Sequence, residues 1–169
     1  VIALAPYEVQ TKGKVVESVA DMSGLKLRAN GAMGKAVAEL GGVPVQISSN
    51  EFYDALSRGT IDGGVWPTGS TRKAGLEKEL NHTVKGVAMG AGAPLIFISE
   101  KVYQRLDTET QQILTDAGIA MNEQLCNFID TREAEEEKWL VENGLLALHE
   151  LPPEQAELWM QTIQPVSEE

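Results

Sequence analysis

Arg28, at the end of the run Gly24-Leu25-Lys26-Leu27-Arg28-Ala29-Asn30-Gly31, is the side chain best placed to do chemistry in this chain. Arginine matches a carboxylate geometrically, because its planar fork donates two parallel N–H bonds and stays charged when desolvated. At the end of a short apolar strand it would point into whatever cleft the strand borders. The helix that starts just after it would turn free N-terminal N–H groups toward the same anion. Gly63 and Gly64 would allow close backbone approach, and Trp66 offers a flat apolar wall. Taken alone, an arginine in a strand is more often a surface or salt-bridge residue, and a lone tryptophan is more often packing. The arrangement as a whole points to a site that holds a small anion.

Catalytic constellations are thin. His82 and His149 lie far apart in sequence without neighbouring Cys or His, so a zinc site is not expected. Gly31-Ala32-Met33-Gly34-Lys35-Ala36 has neither the glycine spacing of a phosphate loop nor the hydroxyl residue that should follow its lysine. Gly69-Ser70-Thr71-Arg72 lacks the second framing glycine of a nucleophile elbow. Asp54 and Asp62 are paired by nothing the sequence shows. The single cysteine, Cys126, cannot close an intramolecular disulfide and falls on an apolar position of a helical pattern, as a small core residue would. Neither an enzyme nor a cofactor is called for.

The elements that must position Arg28 follow from periodicity. Residues 1–8 read as a short strand, and Gln10-Thr11-Lys12-Gly13-Lys14 as a polar turn. A helical turn over 19–24 stops at Gly24, Leu25 to Arg28 alternates like a strand, and 32–40 has a helical period ending at Gly41-Gly42. Val43 to Ile47 is β-rich, and Ser48-Ser49-Asn50-Glu51 is a capping box opening a helix through Ser57. A strand or turn over 61–66, a helix over 70–79, and a strand pair or bent strand over 83–98 complete the first part.

The second part is dominated by one helix from about residue 108 to 143, with Thr108 and Gln111 available as its capping box. Apolar or small residues at 113, 114, 117, 120, 121, 125, 128 and 129 form its stripe. Unbroken, it would be on the order of 50 Å long, more than a compact domain of this size is wide. Such a helix needs more than one small lobe to lie against. The acidic run Glu133 to Glu137 reads as a solvated face, Asn143-Gly144 as the stop, and Pro152-Pro153-Glu154 as the start of a last short helix.

Composition narrows the partners. The chain's 169 residues suffice for one ordinary domain. Fourteen basic against 25 acidic residues leave a net charge of −11, which repels nucleic acid and anionic lipid. No run approaches the roughly 18 apolar residues of a membrane span, so no direct membrane insertion is expected. The start at Val1-Ile2-Ala3-Leu4-Ala5 reads as that of a trimmed or partial chain.

The blocks Gly24-Leu25-Lys26-Leu27-Arg28, Leu40-Gly41-Gly42-Val43-Pro44-Val45, Glu51-Phe52-Tyr53-Asp54-Ala55-Leu56 and Ile61-Asp62-Gly63 occur in order. Leu95-Ile96-Phe97-Ile98-Ser99-Glu100-Lys101-Val102-Tyr103-Gln104-Arg105-Leu106 follows, and then the long helix. Over nearly its whole length the chain resembles the solute-binding receptors of tripartite ATP-independent periplasmic (TRAP) transporters, the DctP family. The resemblance implies an α/β, type II-like periplasmic-binding-protein fold of two lobes, with the first lobe largely missing here and the long C-terminal helix spanning both. It divides the chain into an inter-lobe strand and hinge (1–15) and ligand-binding lobe II (16–88). A return strand and the start of the long helix on lobe I follow (89–121), then the rest of that helix and a C-terminal helix packing on lobe II (122–169).

The same resemblance implies that Arg28 forms a salt bridge with the ligand carboxylate. It puts Gly31, or its polar neighbour Asn30, together with Ser49, Trp66 and Met89, in the pocket. The sialic-acid receptors of the family carry an Asn where Trp66 stands and an aromatic where Ser49 stands, so this chain does not resemble them. Trp66 and Gly63-Gly64-Val65 suit a carboxylate with an apolar or aromatic body, and with Tyr7 and Glu8 where some members place a second basic residue, a monocarboxylate is favoured over a dicarboxylate. The implied function is a non-catalytic periplasmic receptor that delivers an organic acid to a TRAP membrane permease. The alternative is a ligand-binding sensor domain of a signalling protein on the same fold. Without the first lobe, the apolar stripe of the long helix would invite self-association.

Overall fold

Short β-rich runs separated by helical periods can bury both kinds of apolar face only by layering helices on a sheet. The computed structural model describes residues 5–90, 92 and 95–168, and builds that arrangement. Six strands, β1 (Glu8–Thr11), β2 (Lys26–Arg28), β3 (Val43–Val45), β4 (Gly63–Trp66), β5 (His82–Lys85) and β6 (Ala147–Glu150), form one sheet in the order β3-β2-β4-β1-β5-β6. β1 runs antiparallel to both its neighbours, whereas β2 is parallel to β3 and β4, and β5 to β6. The parallel pairings need crossovers. Helix α1 (Gly31–Glu39) links β2 to β3, and α2 (Ser49–Ser57) links β3 to β4. The short α3 (Glu100–Tyr103), the 35-residue α4 (Thr108–Glu142) and α5 (Pro153–Glu168) complete the described chain, and none is long and apolar enough to cross a membrane.

One core cluster joins Val9, Leu27, Val37, Val65 and Val84 with Trp159 and Ile163 of α5. A second gathers Phe52, Leu56, Ile61, Leu76 and Leu80 under α2. The helices over 32–40 and 50–57 and the strands at 25–28, 43–47 and 61–66 were all legible as sequence periods. Gly24 and Gly59 end their segments with φ of +73° and +68°, a region open chiefly to glycine.

Four expectations are corrected. The first strand is Glu8–Thr11, not 1–8; residues 1–4 lie outside the described residues, and the predicted turn at Gln10-Thr11 is strand. β1 is interior, and its polar residues are buried by pairing: Gln10, fully buried, donates to the Trp66 carbonyl (3.1 Å) and to Thr68 Oγ1 (3.2 Å). The predicted helix over 70–79 is a 3-10 turn at Thr68–Ser70 and further turns, interrupted by Gly75 at φ +70°. The extended region over 83–98 contributes only β5, since Gly86 (φ +84°) and Gly90 (φ +138°) break the chain after it. Residues 91, 93 and 94 lie outside the described residues, and 95–98 pair with no strand among them. The last helix is not short but 16 residues long.

The long helix forms as the period predicted, but its cap and its acidic run behave differently. Asp107, not Thr108, caps α4, accepting from the Thr110 N–H at 2.8 Å, while Gln111 Nε2 donates to the carbonyls of Tyr103 (2.9 Å) and Leu106 (3.1 Å). Glu133 to Glu137 is not a solvated face. Glu133 accepts from the Gly69 N–H at 2.8 Å, and Glu136, only 4 % exposed, accepts from Arg72 Nε and Nη2 at 3.0 and 2.8 Å. Lys85 donates to both Glu137 and the buried Glu8. These carboxylates, grouped within little more than one helical turn, pin α4 to the turns after β4 and to β5, and Arg72 also stacks on Trp139 with its guanidinium carbon 4.2 Å from the ring centre.

The pair Arg72–Glu136 is asymmetric, the arginine side chain being 46 % exposed and the glutamate 5 %. Arg72→Met strands a buried carboxylate and should lower unfolding free energy in urea by about 3 kcal/mol. Glu136→Met leaves an arginine that water can reach, and should cost only about 1 kcal/mol. Equal losses in the two variants would contradict this account.

Candidate functional site

β2 ends at Arg28, in register with Gly64 of β4 on one side and Val45 of β3 on the other. Two elements meet at its guanidinium, the start of α2 and the end of β4. The capping box predicted for α2 is present, with Glu51 accepting from the Ser48 N–H (3.0 Å) and hydroxyl (2.7 Å). It sets Ser49 at the first helical position, where its hydroxyl accepts from Arg28 Nη2 at 3.3 Å. Trp66 closes β4 with its ring centre 5.3 Å from the Arg28 guanidinium carbon, and Phe52 of α2 lies 5.7 Å from it. The two rings meet at 5.5 Å and 59°.

The cation is half-buried, and among the described residues no carboxylate partners it. Its Nε and the indole Nε1 of Trp66 are buried without a hydrogen-bond partner. Burial lowers the Arg28 pKa from its ordinary value, and Tyr7 opposes that shift. A desolvated guanidinium with unused donors, on an aromatic shelf, can bind an anion bidentately and an apolar group against the same wall.

Of the residues picked from sequence, Arg28, Ser49 and Trp66 come together. Asn30 and Gly31 lie two and three positions beyond Arg28. Asn30 Nδ2 donates to the Ile47 carbonyl at 3.3 Å, and a Cβ built on Gly31, at φ +56°, would meet open space. Met89 sits in the larger core cluster and lines a groove of about 610 Å³ between α1 and α5; no contact joins it to Arg28. Gly63 and Gly64 serve packing, not the approach of a ligand. A Cβ on Gly63 would lie 2.1 Å from the Gln10 carbonyl oxygen, and one on Gly64 would lie 2.5 Å from the Phe52 ring. Phe52, whose ring lies beside the Arg28 guanidinium, was not picked from sequence. Phe52 occupies an i, i+4 core position with Leu56, and nothing in that period says that its ring also faces a cation.

A sequence profile of the bacterial extracellular solute-binding proteins of family 7, DctP, matches residues 7–169. The chain belongs to the DctP family. The family is one of solute receptors and not of enzymes. The DctP chain is 32% identical over 125 residues to a monocarboxylate 2-oxoacid-binding periplasmic protein of a Nostoc species, covering 72% of this chain and 34% of that one. It also superposes on a TRAP periplasmic solute-binding protein of Bordetella bronchiseptica solved with bound mandelate (TM-score 0.80, 24% identity, 98% of this chain and 53% of that one). A TRAP solute-binding protein of Rhodoferax ferrireducens in complex with benzoate matches likewise (TM-score 0.82, 22% identity, 97% and 52%). The chain thus spans about a third of that curated relative and about half of each solved one. The likeness carries the fold: a mixed sheet with flanking helices, as in one lobe of these proteins.

The unpaired cation has a measurable cost. With no anion present, Arg28→Met removes a half-buried charge and fills the same space with apolar atoms. It should raise the urea unfolding free energy of the ligand-free chain by about 0.5–2 kcal/mol. A loss of stability of that size would show that Arg28 is a structural residue.

Proposed function

We propose that this chain is the ligand-anchoring part of a periplasmic receptor that binds a small organic carboxylate through Arg28 and delivers it to a TRAP membrane permease. One observation carries the reading: a half-buried guanidinium with unused donors and no acidic partner among the described residues, set on Trp66 and Phe52. A purely structural arginine so desolvated would be paired with a carboxylate of the chain. The ligand carboxylate takes that place, between Arg28 and Ser49 and under the open side of Gly31. The aromatic shelf accommodates an apolar or aromatic body. The curated relative is named for monocarboxylate 2-oxoacids, and the two solved relatives hold mandelate and benzoate, which supports a monocarboxylate. The sequence supports it further, since a carboxylate, Glu8, stands where a second basic residue would meet a dicarboxylate, and the cation beside it, Lys85, is engaged by Glu8 and Glu137.

The division into lobes belongs to the same proposal. The sheet and its two cores use residues from 5 to 89 and from 140 to 163. Large exposed apolar side chains concentrate between 95 and 128, with Ile96 75 % and Phe97 89 % exposed and Ile113, Ile119 and Phe128 each more than half exposed. That surface suits a first lobe lying over 89–121, and without one it would drive self-association.

The test is calorimetric titration of a receptor containing both lobes with benzoate, mandelate and a short 2-oxoacid. Arg28→Ala should weaken the best of them by about 2–5 kcal/mol of binding free energy. Trp66→Ala should weaken aromatic acids more than the short oxoacid. Undiminished affinity in Arg28→Ala would remove Arg28 from the site.

A further inference from the structure

His82 and His149, unrelated in sequence, face each other on the parallel strands β5 and β6, where His82 is in register with Ala147 and His149 with Val84. His82 Nδ1 and His149 Nε2 stand 2.8 Å apart, and the ring centres 5.0 Å. The centre separation is close to the nitrogen contact plus two ring radii, so the nitrogens meet nearly head-on. That is the geometry of a shared N–H···N proton. Two imidazoles on one tetrahedral zinc at about 2.0–2.1 Å would hold their nitrogens about 3.3 Å apart, and no group of three or more metal-ligating side chains occurs among the described residues.

Such a contact counts protons. With both rings neutral, one donates and the other accepts; with one proton added, the imidazolium donates to the neutral ring in a charge-assisted bond. A second proton leaves two donors, no acceptor and two like charges in contact. The strand at stake is the outermost of the sheet, so β5 is its one sheet partner. β6 leads through Leu151 into α5, whose Trp159 and Ile163 fill the core. α5 in turn lies along α1, the helix that begins beside Arg28.

We propose that His82 and His149 form a proton-operated latch, which holds β6 and α5 on the sheet while the pair carries at most one added proton and loosens that edge when both rings are protonated. Burial, and after it the charge of His149, lowers the His82 pKa from its ordinary 6.5. The charged neighbours on the adjoining strands are engaged elsewhere, Lys12 with Glu79 and Lys85 with Glu8 and Glu137. A lowered histidine binds fewer protons folded than unfolded, so its stabilisation is present above 6.5 and is lost as pH falls through its folded value. Asp21, Glu51, Asp62 and Asp107 are also held low, but they titrate below the ordinary carboxylate values of 3.8 and 4.5. Burial raises Glu133, which gives the opposite slope: its contribution is lost as pH rises. Since the low carboxylates titrate below 4.5 and Glu133 has the opposite slope, a loss of β6 protection between 6.5 and 4.5 would report on the latch.

The experiment follows imidazole resonances and amide exchange of residues 147–150 by NMR in the wild-type chain, from above pH 6.5 to about 4.5. After correction for the intrinsic pH dependence of exchange, β6 amides should lose protection on the order of tenfold across this range. His149→Gln and His82→Gln, which keep a hydrogen-bonding side chain but cannot take a charge, should hold their protection. Constant protection in the wild type, or the same loss in wild type and variants, would overturn the latch. Should the variants not fold, the wild-type titration decides: a His82 resonance titrating at or above 6.5 is incompatible with it.

Discussion

The structure depends most on how a helix far too long for its lobe is held to the sheet. A 35-residue helix with a weak apolar face gains little from hydrophobic contact along this lobe, and most of its stripe faces outward. What fixes it is charge drawn from water: Glu133, Glu136 and Glu137, within little more than one turn, reach the Gly69 amide, Arg72 and Lys85. Buried carboxylates are tolerable only when each meets a donor, so the helix has essentially one register on the sheet. Lys85 holds the junction together, since burial alone would lower its pKa but its bonds to Glu137 and Glu8 raise it. Through Glu8 and Thr68 the same network runs to Gln10 and so to the Trp66 carbonyl, which joins the helix anchor to the surroundings of Arg28.

The site itself inverts that logic. Each carboxylate at the helix junction meets at least one donor, although Glu133 Oε1 is left buried without one, whereas among the described residues Arg28 meets no carboxylate and keeps a buried Nε unused. A folded chain keeps such a cation because the surroundings hold it. β4 approaches closely enough to carry Trp66 only because Gly63 and Gly64 have no side chains to collide with β1 and Phe52. Glycine thus acts by letting strand and ring close on the arginine. The DctP membership accounts for the fold around this cation, and the missing counter-charge is what a bound carboxylate would supply.

Much of the lobe was legible in the chain because its elements bury one face each, and a one-sided face leaves a period. The helices at α1, α2 and α4 and the strands at β2, β3 and β4 are of this kind. β1 was misplaced because an interior strand lined with Glu8, Gln10 and Thr11 has the composition of a turn, and only partners from β4, β5 and the loop after Trp66 make it tolerable there. The acidic stretch of α4 was misread for the same reason: a run of glutamates has no period that says which of them meet cations. Of the residues picked from type and order, Arg28, Ser49 and Trp66 meet in the structure, while Phe52, which lies beside them, was absorbed into a core pattern that it also satisfies.

The sequence by itself determined that a cation ends β2, the helices α1, α2 and α4 with the strands β2, β3 and β4, and the family to which these belong. These follow from local propensity, side-chain type and block order, which do not depend on distant contacts. Only the tertiary structure decided which polar groups were buried, that the glutamates of α4 were anchors, that Met89 belonged to the core, and that two histidines 67 positions apart shared a proton-sized gap. Each of these is a pairing between residues remote in sequence. The free energy of a buried polar group is set by the partner it meets, and that partner is known only once the chain has closed on itself.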